Sequence, residues 1–271
     1  GHPAYLLGQW SQSGWWYYFP VALAVKTPLP LLLLFFAGLL TLIVRRDHSE
    51  IRGVFCPAVA AALTLTITLR SGINIGIRHI LVIFPFLALA GSVLFSRQIL
   101  QVRVFQALGA VLLLWQALES FQTHPDYLAY FNHVARGREE RFLADSNLDW
   151  GQDLERLRRY LEDRKIRSVY LSYFGSYPRV GHPPHEAQIG DVTFIPLGDE
   201  APPAGWVAGS VNHIVGIPEF HKLSWLTGQT PVARIGKSIL LYHLSEQQRQ
   251  EAVRRIEAER AARPGADQAA P

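Results

Sequence analysis

The stretch Pro28 to Val44, PLPLLLLFFAGLLTLIV, decides how the rest of this chain is read. It holds no Asp, Glu, Lys or Arg, and three further runs share that property: Val54 to Leu69, Ile80 to Phe95 and Val104 to Leu118. A helix needs roughly 20 residues to cross a hydrocarbon layer of about 30 Å, so each run must borrow residues from its flanks. Uncharged runs joined by arginine-bearing connections suit lipid better than the core of a globular protein, the alternative reading. Beyond Leu118 the sequence turns polar. The expected fold class is an α-helical transmembrane bundle of about four spans (28–44, 54–69, 80–95 and 104–118) followed by a small soluble α/β domain.

Charge sets the orientation. The connection Arg45 to Gly53 carries Arg45, Arg46 and Arg52, and Ser96 to Arg103 carries Arg97 and Arg103; the opposite side has Lys26, Arg70 and Arg78. Positive charge gathers on the cytoplasmic side, so residues 1–27, the Arg70 to His79 link and the C-terminal domain fall together on the outer face. In a bacterium this is an inner-membrane protein with a periplasmic C-terminal domain. Trp15, Trp16, Tyr17 and Tyr18 mark the outer headgroup layer, where an apolar ring with a polar tip is best accommodated. Pro20, Pro28 and Pro30 remove backbone donors, which predicts a discontinuous top to the first span.

The pI of about 9.3 and mean hydropathy of +0.11 average two unlike halves. Lysine occurs only at positions 26, 165, 222 and 237, so arginine carries most of the positive charge. Its spread over membrane-flanking loops, a helix and a tail is no nucleic-acid footprint. The single Cys56 forms no intrachain disulfide and says nothing of redox compartment. A chain without Met that begins at Gly1 reads as part of a longer protein.

In the polar part, Asp149 to Arg164 places Leu154, Leu157 and Leu161 on one helical stripe. Ile166 to Phe174, Gly205 to Val211 and Ser238 to Leu244 read as strands, Pro218 to Leu226 as a short helix, and Tyr177 to Pro196 as loop. The soluble domain is expected over 119–246, with a charged helix at Gln247 to Ala262 and a tail after it. Asp145, Asn147, Asp149, Gly151 and Asp153 alternate as in a calcium loop, but Trp150 stands where an EF-hand needs Gly and Arg156 where it needs Glu. Helix capping is the better reading of these oxygens. His182 and His185 lack the further ligands a metal site needs. No metal or other cofactor is expected. No G-x-S-x-G, Walker loop, H-E-x-x-H or dinucleotide fingerprint occurs, so hydrolase, nucleotidase and dehydrogenase readings have no support.

The link RSGINIGIRH, Arg70 to His79, sets two arginines and a histidine around glycines at the outer edge of the membrane, beside Pro85 of the next span. Arginine presents a fixed fork of donors suited to phosphate, such as that of a lipid whose tail lies in the bilayer; anchoring to ordinary headgroups is the plainer role. Lys26 divides the same way, between snorkelling to headgroups and holding an anionic substrate.

GHPAYLLGQWSQSGWWYYFPVALAVKTPLP, NIGIRHILVIFPFLALAG, HPDYLAYFN and DSNLDWGQDL together resemble the C-terminal half of bacterial family 39 glycosyltransferases, relatives of protein mannosyltransferases and of the aminoarabinose transferase of lipid A. The resemblance covers Gly1 to about Leu244. It implies a multi-span GT-C fold and transfer of a sugar, with inversion, from a polyprenyl-phosphate carrier to a protein or lipid acceptor on the outer face. It also implies that the catalytic carboxylate lies in an earlier outer loop not contained here. Cationic groups that stabilise the departing lipid phosphate are what this stretch would add. That role is carried to Arg78, with His79, Lys26, Arg70, His2 and Tyr5 as further candidates. The alternative is a non-enzymatic transporter subunit or sensor with a ligand-binding outer domain, for which ionisable residues at the membrane midplane would be expected.

Overall fold

The computed structural model describes residues 2–45, 48–96, 103–175, 187–197, 200–215 and 223–261. It divides into two units, Gly1–Leu143 and Ala144–Pro271.

The first unit opens with an antiparallel hairpin, β1 (Ala4–Leu6) and β2 (Gln9–Ser11). Its turn residues Leu7 and Gly8 have φ of 51° and 80°, the two positive values that match a tight turn to the strand twist. Helix α1 (Tyr18–Lys26) follows, then α2 (Leu29–Arg45) at an angle of 112°. Pro28 causes the bend, because a residue before proline is pushed out of the helical region and Thr27 is extended (φ −90°, ψ 133°). Next come α3 (His48–Arg70), a 3-10 turn at Ile77–Ile80, α4 (Ile83–Ser92) with a 3-10 extension Val93–Phe95, α5 (Arg103–Thr123) and the short α6 (Glu139–Phe142). Helix α2 packs on α4 and α5, and α3 packs on α4. Glycines let the backbones meet: a Cβ on Gly38 would lie 2.0 Å from the carbonyl oxygen of Ala90, and one on Gly91 3.1 Å from Leu34.

Among the described residues two helices are long and apolar enough to cross a membrane, Ile51–Arg70 and Arg103–Thr123, and the bent pair α1–α2 makes a third if it acts as one broken span. Of the four spans expected, the described residues thus supply two, or three, by length and composition. The run 28–44 is the longer arm of the bent pair, 54–69 and 104–118 sit within the two long apolar helices, and 80–95 forms a shorter apolar helix. Residues 77–80 are used in a 3-10 turn, so the helical part Ile83–Phe95 covers roughly 20 Å of a layer about 30 Å thick. Pro85 lies in the first turn of α4, where a missing donor costs little, so it starts this helix instead of kinking it.

The break between units comes at Leu143, later than the expected domain start at 119. Residues 124–143 belong with the helices: the Asn132 N–H donates to Val25 O (2.9 Å), its side-chain amide to Ala24 O (2.6 Å) and Thr27 O (2.9 Å), and Leu6 bridges to Leu143.

The second unit contains α7 (Leu154–Asp163), β3 (Ser168–Ser172), β4 (Ala187–Ile189), β5 (Val192–Pro196), β6 (Gly205–Ser210), α8 (Val211–Val215), a 3-10 turn (Ser224–Leu226), β7 (Ala233–Ile235), β8 (Ile239–Leu244) and α9 (Glu246–Ala261). The sheet runs β4-β5-β3-β6-β8-β7, with β5, β3 and β6 parallel and the remaining pairs antiparallel. One face packs Val169, Leu171, Phe194 and Leu241 against Leu154, Leu157 and Leu161 of α7. The other packs Val207, Tyr242 and Leu244 against Trp225, Leu226 and Ala252 of α9. Two expectations change. Within the segment read as loop, 187–196 forms the hairpin β4–β5, and the short helix expected at 218–226 is, in its described part, a 3-10 turn. His182, His185 and the tail from Arg263 lie outside the described residues, as do Arg46 and Arg97.

Candidate functional site

The residues expected to form a cationic site lie on the hairpin, loops and helix ends of the first unit. The link after α3 is fixed to the N-terminal segment on two sides: the His2 N–H donates to Gly72 O (2.9 Å), and the Trp15 N–H donates to Asn74 Oδ1 (2.6 Å). Asn74 is buried against Gly14, where φ is +73° and a Cβ would lie 2.1 Å from the Asn74 side-chain oxygen, so only glycine fits. Held this way, the 3-10 turn Ile77–Ile80 buries Ile80 and exposes Arg78 and His79 side by side, directly before the apolar α4. Partial desolvation and the adjacent Arg78 charge hold the His79 imidazole below its usual pKa. Arg70 ends α3 and is exposed, and His2 is exposed with its ring beside Pro3 O (2.9 Å).

Tyr5 and Lys26 take structural places. The Tyr5 hydroxyl donates to Glu140 O (2.8 Å), and burial, then the Glu140 charge, push its pKa up to about 12. Lys26 is 6% exposed, donates to Leu128 O (2.8 Å) and lies over the Phe131 ring at 4.4 Å. Both candidates thus pin residues 124–143 to the hairpin and to α1, and neither faces outward. Of the expected set, Arg78, His79, Arg70 and His2 are the outward-facing members, and hydrogen bonds bring His2 to the Arg70–His79 link.

A second polar cluster escaped the sequence reading. Glu119, 2% exposed near the end of α5, accepts from His133 Nδ1 (2.8 Å), the Tyr130 hydroxyl (2.9 Å) and Trp115 Nε1 (3.3 Å), with Arg136 at 3.9 Å. Burial and Glu119 together hold the Tyr130 phenol above its ordinary pKa. Trp115 is one helical turn back on α5, but Tyr130, His133 and Arg136 are 11 to 17 residues on, across an irregular turn, a pattern no spacing rule reads.

In the second unit the Asp145–Asp153 constellation is structural, by a route other than simple helix capping. Asp153 precedes α7, yet its carboxylate makes no cap bond to the helix. It accepts instead from Lys237 N (2.8 Å), Ser238 N (3.0 Å), Ser238 Oγ (2.9 Å) and Arg156 Nη1 (2.8 Å), tying α7 to β8. Asp149 Oδ1 accepts from Gly151 N (2.8 Å), while its buried Oδ2 has no hydrogen-bond partner. Desolvation pushes the Asp149 pKa up to about 6, against the opposing pull of the Gly151 N–H. Nearby strand ends carry Ser172, whose Oγ is 2.7 Å from His213 Nδ1. Among the described residues no three His, Cys, Asp or Glu side chains converge as metal ligands do.

No family model matches the chain, and no match is found among curated proteins or among solved structures.

Proposed function

We propose that this chain forms part of an integral-membrane glycosyltransferase that moves a sugar from a polyprenyl-phosphate carrier to a protein or lipid acceptor on the outer face of a bacterial inner membrane. One observation carries this reading: Arg78 and His79 stand exposed on a turn that is hydrogen-bonded into place and runs straight into an apolar helix. A phosphate with a hydrocarbon tail fits that combination, the anion at the guanidinium and the chain along the helices.

In the reaction, the acceptor hydroxyl attacks the anomeric carbon, its proton passes to a carboxylate of an earlier outer loop, and the carbon–phosphate oxygen bond breaks. Arg78 stabilises the charge gathering on the departing phosphate, an interaction stronger in the transition state than in the ground state. The broken α1–α2 helix fits a substrate site near a membrane edge, within a GT-C bundle completed by further spans. A transporter reading is less well supported, because the buried ionisable residues Lys26 and Glu119 sit near helix ends and make fixed internal contacts.

The test is Arg78→Ala in the full-length protein, assayed for transfer from a polyprenyl-phosphate sugar. The rate is expected to fall by roughly 10² to 10³, as for loss of one charge-stabilising donor, with folding intact. An unchanged rate overturns the assignment.

A further inference from the structure

We propose that the cleft between α2 and α5 binds an anionic phospholipid, with an acyl chain in the cleft and the phosphate on Arg45. It rests on the membrane location of these helices and not on the glycosyltransferase reading.

The two helices enclose a cavity of about 400 Å3, within the range of ligand sites. Each wall is a single helix face. On α2, Ala37, Leu40, Thr41, Val44 and Arg45 recur at the three- and four-residue spacing of one stripe, and on α5 Phe105, Leu108, Gly109 and Leu112 do the same. Arg45 stands one turn beyond Thr41 on the α2 stripe, so the guanidinium and the apolar wall border the same space. The Thr41 hydroxyl donates to Ala37 O (2.8 Å) and asks nothing of the cavity.

Packing sets the depth. Leu34, Leu94 and Leu112 form a buried cluster, with Ala37, Phe95 and Trp115 against it. The cluster joins the first half of α2 to the middle of α5, which places Arg45 and Phe105 together at the other end of the cleft. From Ala37 to Arg45 the stripe runs about 12 Å. The cleft is therefore blind towards the middle of a layer about 30 Å thick, and opens at the Arg45 end, where Val44 is 70% exposed. A further spanning helix needs a face along the whole depth of the layer. A lipid tail entering from one leaflet needs only this blind half.

Charge selects the headgroup. Arg45 is the exposed last residue of α2, and among the described residues no carboxylate pairs with it. Its guanidinium is permanently charged and offers a fork to two phosphate oxygens. An anionic phosphodiester brings its full charge to that fork, whereas a zwitterionic headgroup carries an ammonium that offsets it. Basic pockets between spans on the cytoplasmic side are where anionic headgroups bind, and the count of loop arginines assigns Arg45 to that side.

Calorimetric titration of the detergent-solubilised full-length protein with dioctanoyl phosphatidylglycerol, with dioctanoyl phosphatidylcholine and with inorganic phosphate tests this. The anionic lipid is expected to bind roughly tenfold tighter than the zwitterionic one, the size of one charged hydrogen bond. Arg45→Ala should remove that margin by weakening the anionic lipid alone, and Arg45→Lys should keep part of it. Thr41→Phe sets a ring into the cleft and should weaken both lipids several-fold. Leu108→Ala strips the rim without adding bulk and should weaken both in the same direction, which keeps the cleft testable if Thr41→Phe fails to fold. Unchanged anionic-lipid affinity in Arg45→Ala overturns the headgroup site, and unchanged affinity in the cleft variants overturns the tail site. Inorganic phosphate binding as tightly as the anionic lipid overturns the lipid assignment. Absence of lipid binding to the full-length protein means that protein fills the cleft, and overturns the proposal.

Discussion

In the first unit the side chains pointing outward include Leu33, Phe36, Leu40, Ile43, Phe55, Leu63, Ile67, Val111 and Leu114, while Lys26, Asn74, Glu119 and Asn132 are buried. In the second unit Trp150 and Val232 are the large apolar side chains exposed among the described residues, and both faces of the sheet are covered by apolar packing. The same chain therefore follows two opposite rules of partition. Water drives apolar area inward in the second unit. In the first, outward apolar side chains cost nothing if the surroundings are hydrocarbon, and polar groups must find partners inside the protein. The contrast argues for a lipid environment around the first unit more strongly than helix length does, because it uses where each side chain points.

The contrast is most sharply broken by truncating one phenylalanine in each unit. Phe194 is fully buried on β5, so Phe194→Ala should cost the second unit about 3–5 kcal/mol in denaturant unfolding. Phe36 is 60% exposed on α2, and Phe36→Ala in detergent or bilayer should stay within about 0.5 kcal/mol. Similar costs for the two would mean that the outward face of α2 is packed by protein.

Polarity gives the next largest effect. Leu114 lies near the middle of α5, and Leu114→Asp should disfavour membrane insertion of that helix by about 2.5–3.5 kcal/mol, read as the inserted fraction in a translocon assay. Val232→Asp, on the exposed surface of the second unit, should leave unfolding within about 0.5 kcal/mol of the parent. Undiminished insertion of the Leu114→Asp helix would remove α5 from the spans.

How far the chain could be read in advance follows the same division. The runs 54–69 and 104–118 were legible because a continuous apolar stretch and a continuous helix coincide there. The run 80–95 was not, because apolar composition does not mark where a helix starts, and Gly76 (φ 159°) with the 3-10 turn delays α4 to Ile83. The hairpin β4–β5 left a signal that was passed over. Gly190 and Asp191 join its strands, and Gly190 has φ of 61° at the turn position where glycine is favoured. At the site, Arg78 and His79 were readable from charge and glycine placement. The inward turn of Tyr5 and Lys26 was not, because it depends on carbonyls of Glu140 and Leu128 more than 100 residues away.

The smallest effect tests the buried carboxylate that the second unit tolerates. Asp149 is fully buried with one oxygen unpartnered, and its pKa in the fold is raised from 3.8 to about 6. A raised carboxyl pKa means that the folded state holds the proton more tightly than the unfolded chain does. Stability from this group is therefore complete below pH 4, falls as the pH rises from about 4 to 6, and stays at its lower value above that. About two pH units at about 1.4 kcal/mol each make a loss of the order of 2 kcal/mol, once relaxation around the charged form is allowed for. Asp149→Asn keeps an oxygen for the Gly151 N–H and removes the titration. It should equal the parent near pH 4 and exceed it by about 2 kcal/mol at pH 7, measured by urea unfolding of the second unit at both values. If the two proteins keep a constant difference across that range, Asp149 is charged in the fold at neutral pH without penalty. Its orphan oxygen must then have a partner in solution, and the rule that this unit buries polar groups only at a cost fails at that residue.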